Sequence, residues 1–190
     1  DHYQFTYLDT ETLEANEDEL PDSFDIASFE ENWNPADVDW EDTASVLFFS
    51  STIVVEDGFT REDVVADLEA EDYDEDGEYQ GHTVLVGPNE LGAFAVGDST
   101  LVVQFAAYQS DPVDNVEAVL DVKNGEEDRY ADDSENMATL LPELGNGTIV
   151  GGRTMAAVDT DNPDRGRFDH MVAEGSTTTI DGDTAERKWL

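Results

Sequence analysis

Leu91-Gly92-Ala93-Phe94-Ala95-Val96-Gly97-Asp98-Ser99-Thr100-Leu101-Val102-Val103-Gln104-Phe105-Ala106-Ala107-Tyr108 reads as a β-hairpin. Strand-like blocks 91–96 and 100–108 flank Gly97-Asp98, a pair suited to a tight antiparallel turn. Upstream, Ser45 to Val55 is rich in β-branched and aromatic residues and predicts one buried strand. Asp57-Gly58 then turns the chain. Thr60, with Asp63 three residues on, signals a helix start, and Val64, Val65 and Leu68 mark its apolar face to about Ala70. Tyr79 to Val86 alternates as a strand and ends at Gly87-Pro88-Asn89.

Downstream, Asp111-Pro112 combines a cap with a first-turn proline and predicts a helix. Its stripe is Val113, Val116, Val119 and Leu120, and Asn124-Gly125 ends it. Ser134 caps a shorter helix carrying Met137, Leu140 and Leu141, stopped by Pro142 and Gly145. Thr148 to Val158 is a further strand, in which Gly151-Gly152 implies a bulge or close packing. Met171 to Ile180 and Thr184 to Leu190 pair across Asp181-Gly182.

Before the hairpin region, His2 to Leu8 is strand-like and Thr10 to Ser23 reads as a loop. Trp33 and Trp40 flank Asn34-Pro35, where a short helix to Asp42 starts, and the indoles are expected to pack onto the core. The chain thus divides into an acidic N-terminal arm (1–43), an α+β core domain (44–158), and an acidic loop with a C-terminal β-hairpin (159–190). The expected class is α+β: a mainly antiparallel sheet with two or three helices on one face. The order of elements suits a ferredoxin-like split β-α-β with an extended N-terminal arm.

Charge bounds the function. The 190 residues carry 48 acids and 8 bases, a formal net charge of −40. A disordered acidic tail would lack the 38% of hydrophobic residues that cluster here in periodic blocks. Nucleic acid is excluded as a partner, because phosphate contacts need clustered bases, and Arg165, Arg167, Arg187 and Lys188 are diluted by acids. The chain has no cysteine, which removes disulfides, thiol nucleophiles and cysteine metal sites. The longest apolar block, 45–55, is far shorter than the ~20 residues of a membrane span.

A body this acidic repels itself in dilute buffer, and the screening length falls from about 10 Å at 0.1 M salt to about 3 Å at 1 M. Few lysines (Lys123 and Lys188), many acids and modest aliphatic content resemble proteins of salt-loving archaea, in particular their secreted or lipoprotein-like surface proteins. That resemblance spans the whole chain. It implies a saline environment, and no site residue is carried over from it.

The best local motif is Asp72-Tyr73-Asp74-Glu75-Asp76-Gly77, which matches the opening of an EF-hand calcium loop. Asp72, Asp74 and Asp76 are the candidate Ca2+ ligands. The match stops at the twelfth position, Thr83, where a glutamate is required. Against it stands a hydrated acidic turn. A second acidic loop, Asp159 to Asp164, has no recognised metal spacing. His170 lies beside Asp169, a His–carboxylate pair of the kind used in catalysis or metal binding, while His2, His82 and His170 form no zinc-protease spacing. Gly145, Gly147, Gly151 and Gly152 follow a helix and open a strand, the reverse of a phosphate-binding loop. Asn146-Gly147-Thr148 is a glycosylation sequon, with Asn146 as acceptor. Arg153 inside a strand reads as an ion-pair partner.

The leading expectation is a non-enzymatic extracellular or cell-surface protein of a haloarchaeon or its virus, self-assembling through strand pairing in high salt. It would act as a homo-oligomer or with other surface proteins, require no cofactor, and accept Ca2+ as an optional bridge. The chain starts at Asp1, as a processed protein or a fragment would, and a removed signal or lipid-anchoring leader is one explanation. Two other readings stand beside it: a ligand-binding or sensor ectodomain of a lipid-anchored protein, and a hydrolase using His170.

Overall fold

Along the central strands nearly every residue is apolar, and alternate side chains therefore need cover on both sides of a sheet. Ile53, Val55, Leu101 and Val103 point to one face, and Val54 and Val102 to the other. The computed structural model describes residues 2–17, 36, 38–39, 42–105, 111–156 and 171–190. They form one ten-stranded sheet: β1 (Tyr3–Asp9), β2 (Ser45–Phe49), β3 (Thr52–Glu56), β4 (Asp74–Tyr79), β5 (His82–Val86), β6 (Gly92–Val96), β7 (Thr100–Phe105), β8 (Ile149–Thr154), β9 (Ala173–Asp181) and β10 (Thr184–Trp189). Their order across the sheet is β10-β9-β8-β1-β2-β3-β7-β6-β5-β4. Every adjacent pair is antiparallel.

The mainly antiparallel α+β expectation holds, and its finer details are corrected. A split β-α-β places two parallel strands side by side, and no described pair is parallel. Helices also cover both faces. α1 (Thr10–Ala15) and α2 (Arg61–Ala70) add Leu13, Val64 and Leu68 to the cluster that holds Ile53, Val55 and Phe94. On the opposite face, α3 (Pro112–Asn124) adds Val116 and Leu120 to Val54, Val84 and Val102. The short α4 (Tyr130–Asp133) and α5 (Glu135–Leu144) lie on that same face, where Met137, Leu140 and Leu144 meet Phe5 and Val150. Strands apolar at every position bind helices on either side.

Segment 1–43 supplies an interior strand. β1 pairs with β8 and with β2, and it buries Phe5 on one face and Leu8 on the other. The loop expected from Thr10 opens with a helix. Asp9 caps it, as the Thr12 N–H donates to Oδ1 (2.9 Å) and the Thr12 hydroxyl to Oδ2 (2.8 Å). The single strand expected over 45–55 is a hairpin. Ser50 adopts a left-handed φ of 55°, and a Ser50-Ser51 loop joins Phe49 to Thr52. Likewise 79–86 is not one strand: Gln80 and Gly81, at φ 46° and 82°, turn β4 back into β5. Two successive positive φ values are the signature of a type I′ loop.

The predicted helix signals around α3 hold. The Val113 N–H donates to Asp111 Oδ1 (3.0 Å), Pro112 occupies the first turn, and Gly125 ends the helix at φ 77°. Ser134 caps α5 by accepting from the Met137 N–H (3.3 Å). That helix runs through Pro142 and ends at Gly145. Thr60 holds the cap position of α2 without a side-chain cap bond. β9 and β10 form the predicted C-terminal hairpin, with Asp181 opposite Thr184. Trp33 and Trp40 lie outside the described residues.

Candidate functional site

The face that carries α3, α4 and α5 leaves an open cleft of about 900 Å³ between α3 and Tyr130. Leu47, Phe49 and Val54 from β2 and β3 form its floor, and Val119 and Val122 of α3 form one wall. Tyr3 and Tyr130 form the other, with rings stacked at 4.5 Å and 14°. Burial, and then the neighbouring Tyr130, push the Tyr3 hydroxyl above its usual range, so it stays protonated at neutral pH.

Polar groups close the two ends. At one, Lys123 of α3 pairs with Glu56 of β3, which also accepts from the Thr100 hydroxyl (2.9 Å). At the other, the buried Gln104 accepts from Thr52 Oγ1 (2.5 Å) and donates to Ser51 Oγ (2.7 Å) and Phe105 O (2.7 Å). A buried carboxamide costs stability unless its groups are bonded, and these bonds tie β7 to the Ser50-Ser51 turn. Sequence reasoning missed Gln104, and its signal was a lone amide inside an otherwise apolar strand. The cleft presents a hydrophobic floor with a neutralised cation at its rim, an arrangement suited to packing an apolar body.

Two edge strands end the sheet. β10 is exposed at all six residues. It carries Arg187 and Lys188 against Glu186, and the Arg187 guanidinium lies over the Trp189 ring. β4 carries Asp74, Glu75, Asp76 and Glu78 and no base. A bulge between Glu75 and Gly77 interrupts its pairing with β5.

The acidic run 72–77 is therefore not a loop between two helices. Asp72 sits at a left-handed φ of 66°, and Asp74 and Asp76 belong to β4. Among the described residues no group of three or more Asp, Glu or His is gathered in a metal-holding arrangement. The loop 159–164 and His170 lie outside the described residues. His82 hydrogen-bonds the Gln80 carbonyl through Nδ1 (3.1 Å), and a Cβ on Gly97 would sit 2.6 Å from its ring. It packs the hairpins. Asn146 is exposed in the turn between α5 and β8.

Arg153 pairs with Glu174, directly opposite it on β9. Gly151-Gly152 forms no bulge. A Cβ on Gly152 would lie 2.8 Å from the Phe5 ring and 3.0 Å from Leu140, so close helix-on-sheet packing explains it. Sequence reasoning also missed Arg61. A base in the first turn of a helix opposes the helix dipole. It is held there by Glu78 (3.1 Å), the Gly81 carbonyl (3.0 Å) and the Thr83 hydroxyl (2.7 Å), which pin α2 to the β4–β5 hairpin.

A single antiparallel sheet clad on both faces, with an apolar cleft and two oppositely charged edges, defines the molecule at the level of class. Comparison of the chain with protein-family models, with curated proteins and with solved structures finds no match. No helix among the described residues is long and apolar enough to cross a membrane.

Proposed function

We propose that this chain is a non-catalytic interaction protein of haloarchaeal type, outside the cell or on its surface, whose copies associate by pairing sheet edges in concentrated salt. The observation that carries the reading is β10, six exposed residues forming one end of the sheet. An edge strand presents unpaired backbone donors and acceptors and templates the addition of another strand. The charge of −40 sets the condition, since copies repel until salt shortens the reach of that repulsion. Divalent cations, calcium included, assist by bridging carboxylates, and a lipid anchor or virus particle are two settings for such an assembly. Sedimentation velocity in 3 M KCl, with and without calcium, is expected to show concentration-dependent oligomers that dissociate in dilute buffer. A monomer under every condition overturns the reading.

A second reading, a ligand-binding or sensor ectodomain, is favoured by the cleft between α3 and Tyr130. Its test is the fluorescence of a hydrophobic dye in molar salt. Saturable binding that Val119→Trp abolishes supports it, and a dye signal indifferent to that variant removes it. The hydrolase reading rests on His170 with a nearby aspartate, and activity unaffected by His170→Ala removes it.

A further inference from the structure

The two ends of the sheet differ in sign. β4 offers four carboxylates and no base, and β10 offers two bases against one acid. In a chain with six acids for every base, the strand richest in bases stands at one edge and an all-acidic strand at the other. Charged edge strands block pairing with copies of themselves. β4 on β4 opposes carboxylates at every charged position, and β10 on β10 centred on Arg187 opposes two guanidiniums, offset only by Glu186 facing Lys188. The remaining combination is complementary. Building on the strand-pairing reading, we infer that copies join head to tail, the β10 edge of one adding antiparallel to the β4 edge of the next.

Geometry agrees on three counts. The sheet has ten strands of alternating direction. That number is even, so a second copy placed beyond β10 in the same orientation presents its β4 antiparallel. The alternation then continues without a reversal.

The edge groups match as well. Leu190 and Gly175 exchange both backbone bonds (2.9 and 3.2 Å). By the alternation of an antiparallel ladder, Ala185, Arg187 and Trp189 turn their N–H and C=O outward. Tyr79 and His82 close the two-residue Gln80-Gly81 loop as a bonded pair, which turns Glu78 outward on β4.

The faces match too. Ala185 lies opposite Ile180, which packs on the α2 side of the sheet, and Glu78 bonds Arg61 of α2. With Ala185 set against Glu78, the outward backbone groups meet on the same face as far as Asp76, where the bulge shifts the alternation of β4. Glu186 then lies beside Gly77, which has no side chain to oppose it. Arg187 then runs beside Asp76, and Lys188, which also contacts Glu143 of α5, runs beside Glu75. Molar salt mutes the repulsion between whole molecules, while pairs in direct contact leave no room for intervening ions and are screened less. A contact between two different edges is head to tail, so it propagates from copy to copy, into a filament or into a ring where the rotation per copy closes.

Charge exchange tests the inference. One variant carries Arg187→Glu with Lys188→Glu, and the other Asp74→Lys with Glu75→Lys. Each alone is expected to assemble at least about tenfold more weakly than the parent chain in 3 M KCl, since cross-strand charge pairs become repulsive. An equimolar mixture is expected to regain assembly, because the acids introduced on β10 of one variant meet the lysines introduced on β4 of the other. Near-ultraviolet circular dichroism confirms that each variant is folded, and Ala185→Pro, which removes one outward N–H, provides an independent block. If the β4 variant assembles like the parent while the β10 variant does not, β10 pairs with itself and the inference fails while strand pairing survives. Failure of the mixture to recover overturns it in the same way. A parent chain that is monomeric throughout overturns both.

Discussion

The guanidinium of Arg187 lies 3.9 Å from the centre of the Trp189 ring, two residues along the same edge strand. The stack shields one face of an indole that is otherwise 69% exposed. Trp189 is therefore a reporter for its own edge. In a Trp33→Phe/Trp40→Phe background its emission is expected at long wavelength and open to quencher in dilute buffer. It should shift to shorter wavelength and resist quenching as assembly proceeds in 3 M KCl. An emission spectrum that tracks no change in sedimentation would place association elsewhere.

Leu120 is fully buried on α3, and Leu141 stands 38% exposed on α5. Leu120→Ala is expected to cost about 3 kcal/mol, from lost burial and the cavity left behind. Leu141→Ala should stay within ~0.5 kcal/mol, as surface changes do. Urea midpoints measured side by side in molar salt check the pair. Equal effects would mean that α3 does not seal its face of the sheet.

Gly175 lies opposite Gly152, beneath α5. A Cβ on Gly175 would stand 2.8 Å from the Gly151 carbonyl oxygen and 3.0 Å from Leu144 Cδ2. Backbone cannot swing aside as a side chain can. Gly175→Ala is therefore expected to destabilise by about 1–3 kcal/mol through overpacking. A urea midpoint unchanged from the parent would count against this close approach.

Glu117 on α3 has its carboxyl pushed above the usual range, first by burial and then by Asp114, Asp121, Asp76 and Asp111. The folded state therefore favours its protonated form. That contribution is present below the ordinary carboxylate range and is lost as pH rises through the raised folded value. At neutral pH the ionised group weakens the fold. Glu117→Gln is expected to raise Tm by about 1–2 °C at pH 7 in 0.1 M salt. The gain should shrink in molar salt and vanish near pH 3. A gain equal at pH 3 and pH 7 would assign the effect to packing instead of charge.

Raising KCl from 0.1 to 3 M should increase the urea midpoint continuously, because screening weakens carboxylate repulsion throughout the fold. Calcium and magnesium are expected to act alike at equal ionic strength, in the parent and in Asp74→Asn/Asp76→Asn. A calcium-specific rise that this variant removes would establish a site at the β4 edge.

Much of the architecture was legible because local chemistry agreed with it. Asp111-Pro112 and Gly125 bound α3, and Asp181-Gly182 lies at the β9–β10 turn where the residues place it. The Ser50-Ser51 turn was hidden, since serine carries no strong preference for positive φ and the flanking residues are apolar on both sides. The β4 strand was hidden because four carboxylates read as a turn, and only its place at the sheet edge lets them stay in water. The faces taken by the helices were not legible either, because fully apolar strands give no sign of which side a helix will choose. For the candidate site, Arg153 was found by its rarity within a strand. The cleft escaped because β1 and β2, α3 and Tyr130 lie far apart in sequence and meet only through the sheet order.

β1 joins β10-β9-β8 on one side of the sheet to the longer run from β2 to β4 on the other. Its outer neighbour lies some 145 residues further along, since Phe5 faces Gly152. A growing chain makes this strand among the earliest of the described elements and supplies its second partner among the last. Until β8 is synthesised, a segment bearing Phe5, Tyr7 and Leu8 has one flank unsatisfied. Loop closure over such a distance slows folding. Folding of this protein is therefore expected to be slow for its size, its rate set by the one seam that joins the start of the described chain to its last third.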